Sequence, residues 1–130
     1  MVTGSHNPPD YNGFKMVLRG RAIYGDAIQD LATLIGQQDF ETGQGTYTAD
    51  EIGESYRARI ACDVHLARPM KIAVDCGNGV AGAYAPALFQ MLGCDVIELF
   101  CEVDGTFPNH HPDPAHPENL QDLIRTLQTT

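Results

Sequence analysis

Two kinds of hydrophobic pattern follow one another along this chain, and the change falls near Pro69. Before it, apolar residues recur at helical spacing. Ile28, Leu31, Leu34 and Ile35 stand three and four apart and predict an amphipathic helix over residues 26–38. Ile52, Tyr56, Ile60 and Val64 follow at four-residue steps. They predict a second helix from about 49 to 66, opened by a capping box of Thr48 and Glu51. The short apolar run "FKMVL", residues 14–18, predicts a strand with no evident partner in its half of the chain.

After Pro69 the apolar runs become short and compact. "KIAVD", 71–75, and "DVIELF", 95–100, predict strands. Between them "CGNGVAG" predicts a turn, followed by a helix with Leu88, Phe89 and Leu92 on one face and Gly93 at its end. Strand, helix and strand at this spacing form a βαβ unit, which implies parallel pairing with a right-handed crossover. Pro117 suits the first position of a last helix, striped by Leu120, Leu123, Ile124 and Leu127. The reading is therefore α/β, with one segment over 1–67 and another over 68–130. Two strands make a thin sheet, so each segment reads as an incomplete domain.

Composition narrows the partners. A hydrophobic content of 43% in 130 residues supports packed structure rather than disorder. A net charge of −9 argues against a non-specific nucleic-acid or anionic-membrane binder, which needs clustered Lys and Arg. It leaves room for a small anionic substrate at a locally positive site. Cys62, Cys76, Cys94 and Cys101 form no C-x-x-C pair and read as free thiols of a reducing compartment. Cys101 stands next to Glu102 rather than a base, which argues against a thiol nucleophile. There is no signal-like leader and no apolar run of ~18 residues, so a soluble cytoplasmic protein is expected.

Candidate chemistry concentrates in "TGSHNPPDYNGFK", residues 3–15. Gly4 gives the backbone freedom beside Ser5, while Pro8 and Pro9 restrict the chain after it. Asn12-Gly13 marks a further turn. The pattern predicts a stiff loop that holds the Ser5 hydroxyl outward. A serine is a poor nucleophile without a base, metal or positive charge to assist it. His6 is able to move a proton near neutral pH, and Lys15 to stabilise a phosphate or a developing negative charge. The competing reading is a Gly/Pro turn in which Ser5 and His6 cap local backbone groups.

Two other stretches invite chemistry. Gly77 to Gly82 satisfies G-x-G-x-x-G between a strand and a helix, with Glu98 and Glu102 about 20 residues on, as a dinucleotide site asks. Asp75 and Cys76 separate the apolar run from the first glycine, which weakens that reading. His110, His111, His116 and Asp113 could be metal ligands, but the prolines between 108 and 117 favour a stiff, solvated, turn-forming loop.

The serine loop resembles, at every position, the active-site loop of the α-D-phosphohexomutases, and within them most closely that of bacterial phosphomannomutase/phosphoglucomutase. "PMKIAVDCGNGVAG" and "CEVDGTFPNHHPDPAHPENLQDL" resemble that family's second domain, in the expected order. The resemblance implies incomplete three-layer α/β/α mixed-sheet domains of a four-domain phosphohexomutase: the end of the first domain over 1–67 and the start of the second over 68–130. It implies that Ser5 carries a phosphate, gives it to a hexose monophosphate and takes one back from the other end of a hexose 1,6-bisphosphate. The substrates would be the 1- and 6-phosphates of glucose or mannose. It also implies that Ser5, once phosphorylated, is a Mg²⁺ ligand. Lys15 would give electrostatic support, and His6 would handle a proton or orient the loop. In the family the glycine turn shapes the second domain and binds no dinucleotide.

The family's aspartate-rich metal loop, expected just past Thr130, and the sugar- and phosphate-binding loops of its later domains are not in this sequence. The chain alone is therefore expected to be inactive and to self-associate through exposed apolar surface. The rival function is a non-catalytic sugar-phosphate binding module.

Overall fold

Short paired strands carry the first part of the chain. The computed structural model describes residues 1–4 and 6–130. Their contacts divide into two units, Met1–Thr3 with Asn12–Asp50, and Gly4–Tyr11 with Glu51–Thr130.

In the first unit, β1 (Val2–Thr3) pairs antiparallel with β2 (Gly13–Phe14), Val2 opposite Phe14 and Thr3 opposite Gly13. β3 (Val17–Leu18) and β4 (Arg21–Ala22) form a separate hairpin, with Leu18 opposite Arg21. The single strand expected over 14–18 is thus two strand ends in two different ladders. The cause is the two-residue turn at Arg19 and Gly20. Both have positive φ, 50° and 78°, the geometry whose twist suits a tight hairpin. Arg-Gly is a weak sequence signal for such a turn, so the partner strand was hidden.

Helix α1 (Asp26–Gln37) matches its periodicity. It ends on Gln38 in left-handed backbone, with the Gln38 and Asp39 N–H groups donating to the Ile35 and Leu34 carbonyls. This satisfies carbonyls that the helix leaves unpaired. None of its residues is buried, and Ile35 is 63% exposed.

The second unit is built on a parallel pair, β5 (Lys71–Asp75) and β6 (Asp95–Leu99), in register from Lys71–Asp95 to Asp75–Leu99. The parallel pairing expected of a βαβ unit is present. Its crossover begins with a 3-10 turn over Val80–Ala83 and continues as α3 (Ala85–Met91). Gly93 closes it at φ 87°, its N–H donating to the Gln90 carbonyl. α3 packs on β6 and α4 (Gln121–Thr129) on β5. Pro117 opens a 3-10 turn, Pro117–Leu120, ahead of α4 rather than α4 itself.

Helix α2 (Gly53–Asp63) is shorter than the span 49–66. Its N-cap is Ile52 and no side chain caps it, so the Thr48–Glu51 capping box does not form. Helices in proteins persist mainly where they pack, and α2 begins where it meets Tyr84. Tyr56 and Tyr84 make an edge-to-face contact at 6.5 Å, and the Arg57 guanidinium lies 5.9 Å from the Tyr84 ring centre.

Among the described residues no large side chain is fully buried. Cys94 and Pro86 are buried, while Phe14, Tyr24, Tyr47 and Ile52 are largely exposed. Cys76 and Cys101 are half-buried and Cys62 is exposed, all as free thiols. No helix among the described residues is long and apolar enough to cross a membrane.

Candidate active site

The stretch from Thr3 to Lys15 is closed at its base by backbone. Thr3 and Gly13 face each other across the β1–β2 ladder, and the Lys15 N–H donates to the Met1 carbonyl at 2.9 Å. A Cβ on Gly13 would stand 2.7 Å from the Thr3 carbonyl oxygen. This approach is open only to glycine, which explains the Asn-Gly step at that point.

Within the loop, the Asn7 backbone N–H and its side-chain amide both donate to the Gly4 carbonyl, at 3.2 and 2.9 Å. The Tyr11 N–H donates to the Pro8 carbonyl at 3.0 Å. The first of these bonds precedes the proline pair and the second closes a turn that contains it, in keeping with the turn-rich loop the sequence leads one to expect. Ser5, and with it the expected outward hydroxyl, lies outside the described residues. His6 is exposed in the first turn. Lys15 is exposed just beyond β2. His6 and Lys15 fall in different units.

A second cluster, which the sequence did not disclose, lies at the C-terminal ends of β5 and β6. This is where open α/β sheets place their ligands. The Asp75 side chain is 6% exposed and that of His110 16%. His110 Nε2 lies 3.1 Å from both Asp75 carboxylate oxygens, and its Nδ1 lies 3.0 Å from the His111 carbonyl. The His111 carbonyl can only accept, so Nδ1 donates to it, and the carboxylate beside Nε2 favours the protonated ring. Burial pulls its pKa down, but the His111 carbonyl and the Asp75 carboxylate outweigh it, and the net shift is upward. The Gly77 N–H also donates to Asp75 Oδ1, at 2.9 Å. His110 rests over Gly77, where a Cβ would stand 3.2 Å from its ring. The pair opens onto a cleft of about 210 Å³ walled by Pro112, Leu120 and Leu123.

The glycine turn itself is occupied by internal bonds. Asn78, 5% exposed and at φ 59°, uses all its polar groups. Its N–H donates to the Phe100 carbonyl at 2.8 Å, and its carbonyl accepts from the Asp104 N–H at 3.0 Å. Its side-chain amide donates to the Glu102 carbonyl at 2.9 Å, and its Oδ1 accepts from the Asn109 amide at 2.7 Å. The turn thus holds the loop after β6, which is the structural role read for it, and Glu102 meets it through backbone. His110 belongs to this framework; the solvated, turn-forming loop expected there is largely exposed, but His110 is tied down by its pairing with Asp75. His116 lies within 4 Å of Asp113 and Glu118, with an exposed ring.

Mg²⁺ prefers six oxygen ligands in octahedral array. Among the described residues no group of three or more His, Cys, Asp or Glu is placed to hold a metal ion. The described residues therefore do not fit that ion by themselves.

Comparison with known proteins gives these elements a family. Residues 1–42 match the family model described as phosphoglucomutase/phosphomannomutase, alpha/beta/alpha domain I, and residues 49–130 match the model for alpha/beta/alpha domain II. The chain is 55% identical over 130 residues to a phosphoglucomutase of Neisseria meningitidis. It is 56% identical over 128 residues to a phosphomannomutase/phosphoglucomutase of Pseudomonas aeruginosa. Each alignment covers 98% of this chain and 28% of the relative. A crystal structure of a phosphoglucomutase/phosphomannomutase family protein from Burkholderia thailandensis superposes with a TM-score of 0.91 at 62% identity, over 99% of this chain and 28% of that one. The α/β/α class and the family read from the serine loop are both borne out, and the dinucleotide and binding-module readings are not favoured. The chain spans little more than a quarter of the length of these relatives, and it belongs to the phosphoglucomutase/phosphomannomutase family.

Proposed function

We propose that this chain supplies the phosphoryl-carrying loop of a phosphohexomutase, an isomerase that moves a phosphoryl group between the 1- and 6-positions of glucose or mannose. The observation that carries the reading is the unbroken "TGSHNPPDYNGFK" in a chain that belongs to this family. Ser5 is assigned as the residue that donates its phosphate and recovers one from the hexose 1,6-bisphosphate. Lys15 is assigned to charge neutralisation and His6 to proton handling or loop orientation. Phosphoryl transfer draws mainly on positioning and charge neutralisation, so a braced loop with a cation is a suitable part. In the family reading phosphorylated Ser5 would be one ligand of a bound Mg²⁺, which would supply charge neutralisation at the phosphoryl group. Residues 1–67 are assigned to the first mutase domain and 68–130 to the second, with 49–67, which the second-domain model also matches, as the connecting helix, and the working compartment to the cytoplasm.

The test is phosphate mapping on a full-length relative whose matching segment is replaced by this chain. After incubation with glucose 1,6-bisphosphate and Mg²⁺, phosphate is expected on the peptide carrying Ser5 and absent from Ser5→Ala. Phosphate on another residue, or none on a folded hybrid, would refute the assignment.

A further inference from the structure

Cys76 and Cys101 stand at the ends of the two parallel strands, with their sulfurs 3.4 Å apart and half-buried. Strand alternation alone would keep them apart. Asp75 is in register with Leu99, so the next pair is Cys76 with Phe100, and an extended chain would turn Cys101 to the opposite face. Phe100 prevents this. Its φ of 50° breaks the alternation and returns the Cys101 side chain to Cys76. Left-handed backbone is strained for a phenylalanine and persists only where its surroundings impose it. Here the Cys76 N–H donates to the Leu99 carbonyl at 3.0 Å and the Asn78 N–H to the Phe100 carbonyl at 2.8 Å. Gly82 presses from the other side, where a Cβ would stand 2.0 Å from the Cys101 carbonyl oxygen.

We propose that Cys76 and Cys101 form a dithiol modification site that closes to an intramolecular disulfide by exchange with a small-molecule disulfide such as oxidised glutathione. The sulfurs need to approach by only about 1.4 Å from 3.4 Å to reach bonding distance, on strand ends already tied by hydrogen bonds. The Cys101 sulfur attacks one sulfur of the small disulfide, forming a mixed disulfide and expelling one thiolate. The Cys76 sulfur then attacks the Cys101 sulfur and expels the second thiolate. The two cysteine protons end, through solvent, on the two released thiols. The protein dithiol is oxidised by two electrons and the small disulfide is reduced by two.

The order of attack follows from the surroundings. Burial, the Cys101 thiol beside it and the carboxylates of Asp75 and Glu98 push the Cys76 thiol up to about 12, so it does not start the exchange. Once Cys101 carries the mixed disulfide, the contribution of its thiol to that upward push is gone, and burial and the carboxylates remain. Cys62, exposed on α2, has no cysteine partner and serves as an internal standard for mixed-disulfide formation.

The experiment treats the native full chain with oxidised glutathione, traps remaining thiols by alkylation and maps the product after trypsin and chymotrypsin digestion. Cuts after Lys71, Tyr84 and Phe100 separate the four cysteines. The expected result is a Cys76–Cys101 cross-linked peptide, Cys94 alkylated and Cys62 carrying glutathione. Cys101→Ser should leave Cys76 alkylated. The proposal is overturned if Cys62 carries glutathione while Cys76 and Cys101 are both recovered alkylated. It is equally overturned if either pairs with Cys62 or Cys94 at comparable yield. The mapping on the unaltered sequence decides even where Cys101→Ser fails to fold.

Discussion

His110 and Asp75, 35 positions apart, pair at the end of the parallel sheet, with the His110 ring held between the Asp75 carboxylate and the His111 carbonyl. The pair joins the strand end to the loop that follows β6, and it makes that junction sensitive to pH.

The sign of this sensitivity follows from linkage. The folded-state pKa of His110 is raised above its ordinary value of 6.5. The stability it contributes is fully present below about 6.5 and is lost as pH rises through the folded-state value. Thermal midpoints measured across this range should fall as pH increases, and His110→Gln should flatten the slope. A slope unchanged in His110→Gln would show that the pair does not set it.

Asn78 is the joint of the same region, since each of its polar groups is bonded within the chain. Asn78→Ala leaves the Glu102 carbonyl and the Asn109 amide without their partner and should cost about 2–4 kcal/mol in denaturant unfolding. Asn109→Ala, at an exposed position, should cost about 1 kcal/mol. Equal losses would contradict the central place given to Asn78.

Gly82→Ala places a methyl group into the Cys101 carbonyl. Backbone cannot yield there without breaking the turn, and a loss of about 3 kcal/mol or more is expected. Gly43→Ala, with open space around it, should stay within about 0.5 kcal/mol. Circular dichroism melts of the two variants make the comparison.

Much of the second unit was legible in the sequence because local pattern and tertiary role agree there. "KIAVD" and "DVIELF" are compact apolar runs, and the helix between them ends at a glycine that structure uses as its stop. The β3–β4 hairpin was not legible, because its turn is Arg-Gly rather than a strong turn pair. The length of α2 was overread because periodicity records an apolar face and not what it meets; only the stretch beside Tyr84 is helical. The serine loop stood out by its residues, but composition alone left a plain Gly/Pro turn open, and its chemistry was read from the family resemblance. The Asp75–His110 pair was not, since its members lie 35 residues apart and only the fold brings them together. An acidic residue closing an apolar strand was the one local sign of it.

Exposed apolar side chains on α1 and on the two-stranded ladders predict self-association. Every strand in a two-stranded sheet is an edge, and edges and apolar patches recruit partners. Sedimentation velocity should show mass rising with concentration, and Ile35→Glu, on the exposed stripe of α1, should reduce it. A monomer at all concentrations would contradict this.

The central claim is that Ser5 carries the phosphoryl group, and a coupled mutase assay tests it most directly. The full-length relative bearing this chain in place of its own segment is predicted to convert glucose 1-phosphate to glucose 6-phosphate. The same hybrid with Ser5→Ala should lose at least about 10³-fold in turnover, the scale expected when a nucleophile is removed. The 130-residue chain alone should show none. Turnover that survives Ser5→Ala undiminished, in a hybrid that folds, would contradict the account.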